Sequence, residues 1–196
     1  MGAGATALFG GTFDPIHNAH IEIARAAADR FHLAKVLFVP AANPPHKPGG
    51  PAAAYEDRVR MVELACAADP RFEVSRIEDG AARSYSIVTI EKLLAAGIKP
   101  LSFLIGADAF REITTWYRWR EVVAAVEFIV VTRPGATWNS PPGARVRELA
   151  GLELPVSSSD IRQELWQDGA DIPVPAPVLA YIHDHGLYRS FENKSG

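Results

Sequence analysis

The stretch GGTFDPIHNAH at residues 10–20 decides the fold of this 196-residue chain. The apolar run at 5–9 before it is typical of a buried strand, and the apolar residues at 21–31 after it recur at helical spacing. We therefore predict a strand-to-helix turn. Its two glycines permit positive φ and a close backbone approach to a ligand, and the helix start offers free N–H groups that suit an anion.

Two histidines occupy the start of the predicted helix. His17 and His20 are three residues apart, so they are expected on one side of the helix as donors to phosphate oxygens. A metal pair is the alternative, with Asp14 as a third ligand, because helix-borne histidine pairs usually need an added carboxylate.

Composition bounds what the chain can be. The net charge is −3 with histidines neutral, which argues against nucleic-acid binding driven by bulk charge. The one cysteine, Cys66, is expected in the core, and a chain with a single cysteine forms no internal disulfide. With no signal sequence and no apolar stretch long enough for a bilayer, the sequence predicts no membrane partner and a cytoplasmic protein.

Beyond the first turn, apolar runs alternate with segments of helical spacing. The predicted strands are 36–39, 72–74, 101–106, 128–131 and 152–154. The predicted helices are 55–67, 85–96, 159–167 and 177–185. Proline, glycine and alanine in 41–53, and proline, glycine and serine in 136–143, predict two loops.

The alternation predicts a doubly wound parallel sheet with helices on both faces, a Rossmann-like α/β class. We expect one domain over 1–190, with a C-terminal helical portion from about 157 packed on it and a disordered tail at 191–196. In such sheets ligands bind beyond the carboxyl ends of the strands, where strand order reverses. The polar motifs of this sequence follow predicted strands, so they are expected near one another.

The 10–20 stretch resembles the GGTFDPxHxGH signature of HxGH-type nucleotidyltransferases, and within them the bacterial nicotinate-nucleotide adenylyltransferase family. Ala19 replaces the usual glycine of that signature, and its methyl group narrows the room for backbone approach. Arg133-Pro134-Gly135 and the terminal segment 181–188 also match the family pattern. The resemblance therefore runs over almost the whole chain.

The resemblance assigns one set of residues to the pyridine mononucleotide. They lie in the Asn-Pro-Pro-His-Lys loop at 43–47, in Ser-Tyr-Ser at 84–86 and in Trp-Tyr at 116–117: His46, Tyr85, Ser86, Trp116 and Tyr117. Without the resemblance, the same residues could also have purely structural roles. The loop could be a solvated basic tip, Ser84 or Ser86 a helix N-cap, and Trp116 core packing.

A second set is assigned to ATP. Its members come from the first turn, the Gly-x-Asp element and a serine-rich helix start: Gly10, Gly11, Thr12, Phe13, Gly106, Asp108, Arg133, Ser157, Ser158, Ser159 and Ile161. Asp108 would accept bonds from ribose hydroxyls, or else cap the next helix. The serines suit an anion, or else a plain N-cap beside a surface arginine.

The resemblance implies transfer of AMP from ATP to nicotinate mononucleotide by direct in-line attack. The expected charge-stabilising residues are His17, His20, Lys47 and Arg162. Mg²⁺ would arrive on the ATP phosphates, with no metal ligands from the protein. A homo-oligomer stays open. The rival interpretations are a phosphopantetheine adenylyltransferase, a tRNA synthetase fragment, and a nucleotide-binding sensor that has lost catalysis, which Ala19 alone favours.

Overall fold

The first strand and the helix after it begin a regular alternation of strands and helices. The computed structural model describes residues 4–45, 49–132, 139–152, 156–167, 169 and 171–189. The strands are β1 Thr6–Gly11, β2 Lys35–Pro40, β3 Phe72–Val74, β4 Leu101–Gly106, β5 Glu127–Val131 and β6 Arg145–Leu149. The helices are α1 Asn18–Phe31, α2 Tyr55–Cys66, α3 Ser86–Ala95, α4 Ala107–Arg111, α5 Trp119–Ala125, α6 Ser158–Trp166 and α7 Ala176–Asp184, with a 3-10 turn at Ile113–Thr115.

Within the described residues the six strands form one sheet in the order β3-β2-β1-β4-β5-β6, and every neighbouring pair is parallel. From β1 the chain builds outward through β2 and β3. It then returns to the other side of β1 and builds outward again from β4. Strand order therefore reverses between β1 and β4, which is the position where this class of sheet binds its ligands.

The sheet is covered on both faces, because successive strand residues point to opposite sides. Ala7 and Phe9 of β1 face a core shared with α1, α2, α6 and α7, while Leu8 faces a second core shared with α3, α4 and α5. Phe38 is fully buried. Burial of one such side chain contributes roughly 1.5–3 kcal/mol. The predicted doubly wound α/β sheet is confirmed.

Most predicted elements lie within a few residues of the observed ones, and the strands at 72–74 and 101–106 match in full. The last predicted strand is wrong. Leu152 lies in no strand, residues 153–155 are outside the described residues, and the sixth strand is Arg145–Leu149. Its charged residues Arg145, Arg147 and Glu148 hide an edge strand from a search for apolar runs. The short helices α4 and α5 were not predicted.

Three further expectations have different outcomes. Cys66 is buried as predicted, and burial raises the pKa of its thiol to about 12, so it stays protonated. Among the described residues, no helix has the length and apolar content needed to cross a membrane. The single-domain division stays a prediction, and the tail at 191–196 lies outside the described residues.

Candidate active site

The turn after β1 is built differently from its prediction. Gly10 and Gly11 do not take positive φ; they extend β1 in register with Val39 and Pro40. Gly11 is required by packing, since a Cβ there would lie 2.9 Å from the ring of Phe13. The left-handed conformation falls instead on Phe13, at φ 50°. The buried Phe13 ring packs at 5.1 Å from that of His20, so it supports the site from below.

The two histidines open α1 with their rings 3.7 Å apart. His17 is the N-cap, and its backbone N–H donates to Nδ1 of His20 at 3.2 Å, the contact from third residue to N-cap seen in capping boxes. Burial lowers the pKa of His17 to about 4. Burial, and then His17, lower the pKa of His20 well below its ordinary value. Both rings are therefore neutral near pH 7.

Neutrality fixes the tautomer of His20. Its Nδ1 accepts a hydrogen bond from a backbone N–H, so the ring proton must sit on Nε2, which becomes a donor. Nδ1 of His17 has no hydrogen-bond partner among the described residues, and the residue is only 5% exposed. A buried polar atom without a hydrogen-bond partner is unusual in a folded protein. The pair offers hydrogen bonds to a ligand without carrying a charge of its own.

The carboxylate of Asp14, the third ligand in the metal-pair alternative, is engaged in hydrogen bonds within the chain. Its Oδ1 accepts from the Ala53 N–H at 3.0 Å and from the Tyr188 hydroxyl at 2.9 Å, and its Oδ2 accepts from the Ala52 N–H at 2.8 Å. The buried carboxylate is thus committed to holding loops. Within the described ranges, no group of three His, Cys, Asp or Glu side chains is placed to hold a metal ion.

The start of α6 is fastened to this same turn. Ser157 is the N-cap, accepting from the Asp160 N–H at 3.2 Å, which confirms the capping role. The Ser158 hydroxyl donates to the Pro15 carbonyl at 3.0 Å, and Arg162 donates to the Asp14 carbonyl at 2.6 Å. Arg162 is also only 21% exposed, so it is not a plain surface arginine.

These elements enclose a cavity of about 350 Å³, here called the histidine cavity. The predicted residues that line it are His17, His20, Gly106, Asp108, Ser157 and Ser158. Ala19, the departure from the signature, is buried and lines it too. Asp108 does not cap α4, whose N-cap is Gly106. It lies in the first turn and pairs with Arg111 at 2.8 Å.

A larger cavity of about 730 Å³, the aromatic cavity, opens beyond the ends of β1 and β4. The predicted residues that line it are Gly10, Gly11, Thr12, Tyr85, Ser86, Gly106, Trp116 and Tyr117. The rings of Tyr85 and Tyr117 lie 4.6 Å apart, although Tyr117 is 55% exposed. Trp116 is half-buried and its ring lies 6.1 Å from that of Phe103, so core packing and cavity lining coexist.

Neither serine of the Ser-Tyr-Ser element caps α3, whose N-cap is Tyr85. Ser84 instead exchanges bonds with the loop after β2. Its Oγ accepts from the Asn43 N–H at 2.9 Å and its N–H donates to the Asn43 carbonyl at 2.9 Å. Asn43 also donates through Nδ2 to the Ala82 carbonyl at 2.6 Å. The capping alternative is wrong because these residues hold two loops together at the cavity wall.

Several predicted residues lie away from both cavities. The side chains of Phe13 and Ile161 are buried in the core, and Ser159 is exposed, accepting from Arg162 at 3.2 Å. His46, Lys47 and Arg133 lie outside the described residues.

Gly106, at the end of β4, lines both cavities. Its φ is −72°, which any residue adopts, and a Cβ built on it would meet no described atom within 4 Å. The protein fold therefore does not require glycine here. What a side chain would occupy is the space between the two cavities.

Comparison with known proteins accounts for this arrangement. A protein-family model described as cytidylyltransferase-like matches residues 8–164. A protein of Solibacter usitatus, named a probable nicotinate-nucleotide adenylyltransferase, is 58% identical over 93% of this chain and 98% of its own. The chain belongs to the nicotinate-nucleotide adenylyltransferase family.

More distant members agree. A protein of the same name from Roseiflexus castenholzii is 38% identical over 96% of this chain and all of its own. The Plasmodium falciparum nicotinic acid mononucleotide adenylyltransferase, solved as a complex with NaAD, superposes with a TM-score of 0.80 at 16% identity, covering 95% of this chain and 98% of that one. The last likeness concerns the fold alone. Membership sets aside the phosphopantetheine and tRNA synthetase interpretations.

Sequence reasoning missed two buried ionic residues of this family member. Glu78 lines the aromatic cavity, accepting from the Thr89 hydroxyl at 2.5 Å and from the Ala42 N–H at 3.3 Å. Arg58 is 1% exposed and donates to the carbonyls of Thr12 at 2.7 Å and Ala41 at 2.8 Å. Both look like ordinary surface charges in the sequence, because their partners are distant along the chain.

Proposed function

We propose that this chain transfers the AMP group of ATP to nicotinate mononucleotide, releasing nicotinate adenine dinucleotide and pyrophosphate. The observation that carries the proposal is the meeting of two cavities at Gly106, at the reversal of strand order. Two substrates placed in these cavities would have their reacting ends at the shared boundary. The naming of relatives that align over nearly the whole chain supports this choice of substrates.

ATP is assigned to the histidine cavity. The Nε2–H of His20, the start of α1 and the capped start of α6 are hydrogen-bond donors that suit its phosphates. Asp108 is the candidate acceptor for ribose hydroxyls. Arg162 lines neither cavity, but it donates to the Asp14 carbonyl of the turn before α1 and is proposed as a cation for the phosphates. Lys47 is proposed from the family motif alone.

Nicotinate mononucleotide is assigned to the aromatic cavity, whose volume of about 730 Å³ lies in the range of small-molecule sites. The pyridine ring would stack on Trp116, where a pyridinium over an indole gains roughly 0.5–2 kcal/mol. Its carboxylate would be recognised near Ser86 and Tyr117. His46 joins this set through the family motif.

The reaction needs no nucleophilic side chain. A 5′-phosphate oxygen of the mononucleotide attacks the α-phosphorus of ATP, a new P–O bond forms, and the bond to pyrophosphate breaks. Since the second pKa of a phosphate monoester lies near 6, the attacking phosphate is already mostly dianionic at pH 7 and no general base is required. Catalysis consists of positioning and of hydrogen bonds to the negative charge that develops.

Mg²⁺ is proposed to arrive with ATP. The donors around the histidine cavity are mainly imidazole and hydroxyl groups, while its one carboxylate, Asp108, is paired with Arg111. Such a set fits an ion that is held by phosphates and retains its own waters. When bound, the ion would neutralise phosphate charge. A cytoplasmic location is proposed alongside.

The deciding experiment compares turnover of nicotinate and nicotinamide mononucleotides with ATP and Mg²⁺. We expect dinucleotide and pyrophosphate in equal amounts and a higher kcat/KM for the nicotinate substrate. Binding of ATP without any turnover would favour a nucleotide sensor.

A second experiment tests direct transfer against a hidden covalent step. ATP labelled on its α-phosphate should leave no label on the protein when the mononucleotide is absent. A chiral α-phosphorus should be inverted, as one in-line displacement requires. Retention of configuration, or an adenylyl-serine formed at 157–159, would overturn the mechanism and leave the substrates unaffected.

A further inference from the structure

Glu78 differs from the other residues that line the aromatic cavity. It is the one acidic or basic side chain in the described part of that lining, and the residue is only 7% exposed. It forms no salt bridge with another described residue. Since burial of an unpaired carboxylate is costly, the charge of Glu78 must be compensated by hydrogen bonds.

The hydrogen bonds within the chain use only part of what this carboxylate can accept. Its Oε1 accepts from the Thr89 hydroxyl at 2.5 Å, and its Oε2 accepts from the Ala42 N–H at 3.3 Å. An ionised carboxylate has about four acceptor sites, so each oxygen can take about one more hydrogen bond. Because Glu78 lines the aromatic cavity, that remaining capacity is open to a ligand bound there.

The same two bonds fix where the carboxylate lies along the cavity. Ala42 is the second residue after β2, which pairs with β1 as far as Gly11. Thr89 lies in α3, one turn after Tyr85, whose ring rests on another aromatic ring of the cavity. The carboxylate of Glu78 therefore lies between the strand ends, where the reacting phosphate is proposed, and the rings, where the pyridine is proposed.

Ribose is the part of nicotinate mononucleotide that joins the pyridine ring to the phosphate. Its 2′ and 3′ hydroxyls are the only hydrogen-bond donors in the prevailing form of this substrate near pH 7. The carboxyl group is ionised, the ring nitrogen carries no hydrogen, and the phosphate is mostly dianionic. A carboxylate repels the two anionic groups, so the ribose hydroxyls are the groups that complement it.

We propose that Glu78 binds a ribose hydroxyl of the mononucleotide and thereby selects ribosyl over deoxyribosyl substrates. The inference rests on the proposed function and names a specificity residue within it. A hydrogen bond to a charged acceptor is stronger than one between neutral groups. In a substrate that lacks the hydroxyl, nothing offsets the repulsion between Glu78 and the anionic groups, so the same carboxylate favours one sugar and disfavours the other.

The test compares nicotinate mononucleotide with its 2′-deoxy and 3′-deoxy analogues by steady-state kinetics with ATP and Mg²⁺. In the unmodified chain, kcat/KM should fall about 10- to 100-fold for the analogue that lacks the bound hydroxyl. In Glu78→Gln the same analogue should lose about fivefold or less, because glutamine offers only a neutral acceptor. The KM for ATP should stay within about twofold in Glu78→Gln, since ATP is assigned to the other cavity.

Glutamine is the suitable replacement because it can retain both internal contacts. Its Oε1 can accept from the Ala42 N–H, and its Nε2 can donate to the Thr89 hydroxyl. That hydroxyl can then donate to the Tyr85 carbonyl, which lies 3.5 Å away. Glu78→Gln therefore removes the charge and leaves the cavity wall in place.

Thr89→Val is the matched control. Thr89 is 4% exposed and lines neither cavity, and valine replaces its hydroxyl with a methyl group of similar size. The variant loses the hydrogen bond to Glu78 but retains the carboxylate. Its thermal stability should fall, while its discrimination between the ribosyl and deoxyribosyl substrates should remain that of the unmodified chain.

Three results would overturn the proposal. The first is an unmodified chain that uses both deoxy analogues as well as the ribosyl substrate. The second is an equal loss for the analogues in the unmodified chain and in Glu78→Gln, which would mean that the hydroxyl and the carboxylate are not coupled. The third is a parallel loss of discrimination in Thr89→Val, which would make the role of Glu78 structural.

Failure of the proposed function gives a different result. If the unmodified chain does not turn over nicotinate mononucleotide at all, the proposed function is wrong, and the assignment of Glu78 is wrong with it. Turnover of that substrate without coupling between Glu78 and a ribose hydroxyl would overturn the assignment of Glu78 alone.

Discussion

The histidine cavity and the aromatic cavity share Gly106, yet their walls are held by different forces. In the histidine cavity, His17 is 5% exposed and the helix starts around it are tied to the turn by hydrogen bonds. In the aromatic cavity, Tyr117 is 55% exposed and its ring rests on that of Tyr85. Under the proposed assignment, the first wall would stabilise charge that develops during reaction, and the second would recognise a flat ring by contact area.

This difference predicts that substitutions at the histidine cavity act on the chemical step. His20→Ala should lower kcat by about 100-fold or more, the usual cost of removing one hydrogen-bond donor from a transition state. KM for either substrate should change much less. The measurement is steady-state kinetics, with the exposed His183 of α7 replaced by Ala as the control. An unchanged kcat would show that His20 has no role in the chemical step, and the proposed difference between the two cavities would then be wrong.

The buried imidazoles also predict how stability varies with pH. The pKa of His17 is lowered from 6.5 to about 4 in the folded state. Between these two pH values the unfolded chain therefore binds a proton at His17 that the folded chain does not bind. The free energy of unfolding is therefore highest above pH 6.5 and falls as the pH drops toward 4. His17 alone accounts for a loss of up to about 3 kcal/mol. His20 adds with the same sign.

Urea unfolding at about pH 7 and about pH 5 measures this loss, with the linear extrapolation applied at each pH. His17→Asn should lose less stability over the interval than the unmodified chain, while His183→Ala should lose the same amount. An identical slope in His17→Asn would show that its ring is solvated, contrary to the burial described above.

Arg162→Ala sharpens the comparison between substrates. Loss of a charge-assisted contact worth roughly 1.5–3 kcal/mol should raise the KM for ATP about tenfold or more and leave the mononucleotide KM nearly unchanged. Arg60, an arginine of α2 with 53% side-chain exposure, is the control as Arg60→Ala. If both KM values rise together, Arg162 acts by holding the turn rather than by contacting ATP.

The smallest effect is expected at the aromatic cavity. Trp116→Ala should raise the KM for nicotinate mononucleotide by roughly 2- to 30-fold, the range of one ring-stacking contact, with little change for ATP. Trp119, half-buried three residues later and packed by Arg120 at 4.5 Å, serves as the control because it does not line the cavity. Equal effects on the two substrates would mean that Trp116 is structural.

The sequence predicted the parts of the fold that depend on neighbouring residues. The strand, turn and helix at 5–31 follow from local spacing, and so does the arrangement of strand ends at one edge. Strand β6 was misplaced because Arg145, Arg147 and Glu148 interrupt its apolar pattern, and its pairing with β5 is visible only in three dimensions.

The candidate site shows the same limit of prediction from neighbouring residues. His17 and His20 were placed together because they are close in sequence. The roles of Asp14, Arg58 and Glu78 could not be predicted, because each depends on backbone groups brought from elsewhere in the chain. Burial of an arginine is a tertiary event that residue type disfavours. The glycines were misjudged for a related reason: positive φ falls on Phe13, whose ring fills the space above Gly11.

A substitution at Gly106 is expected to change activity without changing protein abundance. Its backbone accepts alanine, and the added methyl group would touch no described atom of the protein, so Gly106→Ala should accumulate to normal levels. The same methyl group would lie at the boundary of the two cavities, where the proposed reaction brings the two substrates together. A screen that reads expression would score this change as silent, while one that reads growth would score it as a loss.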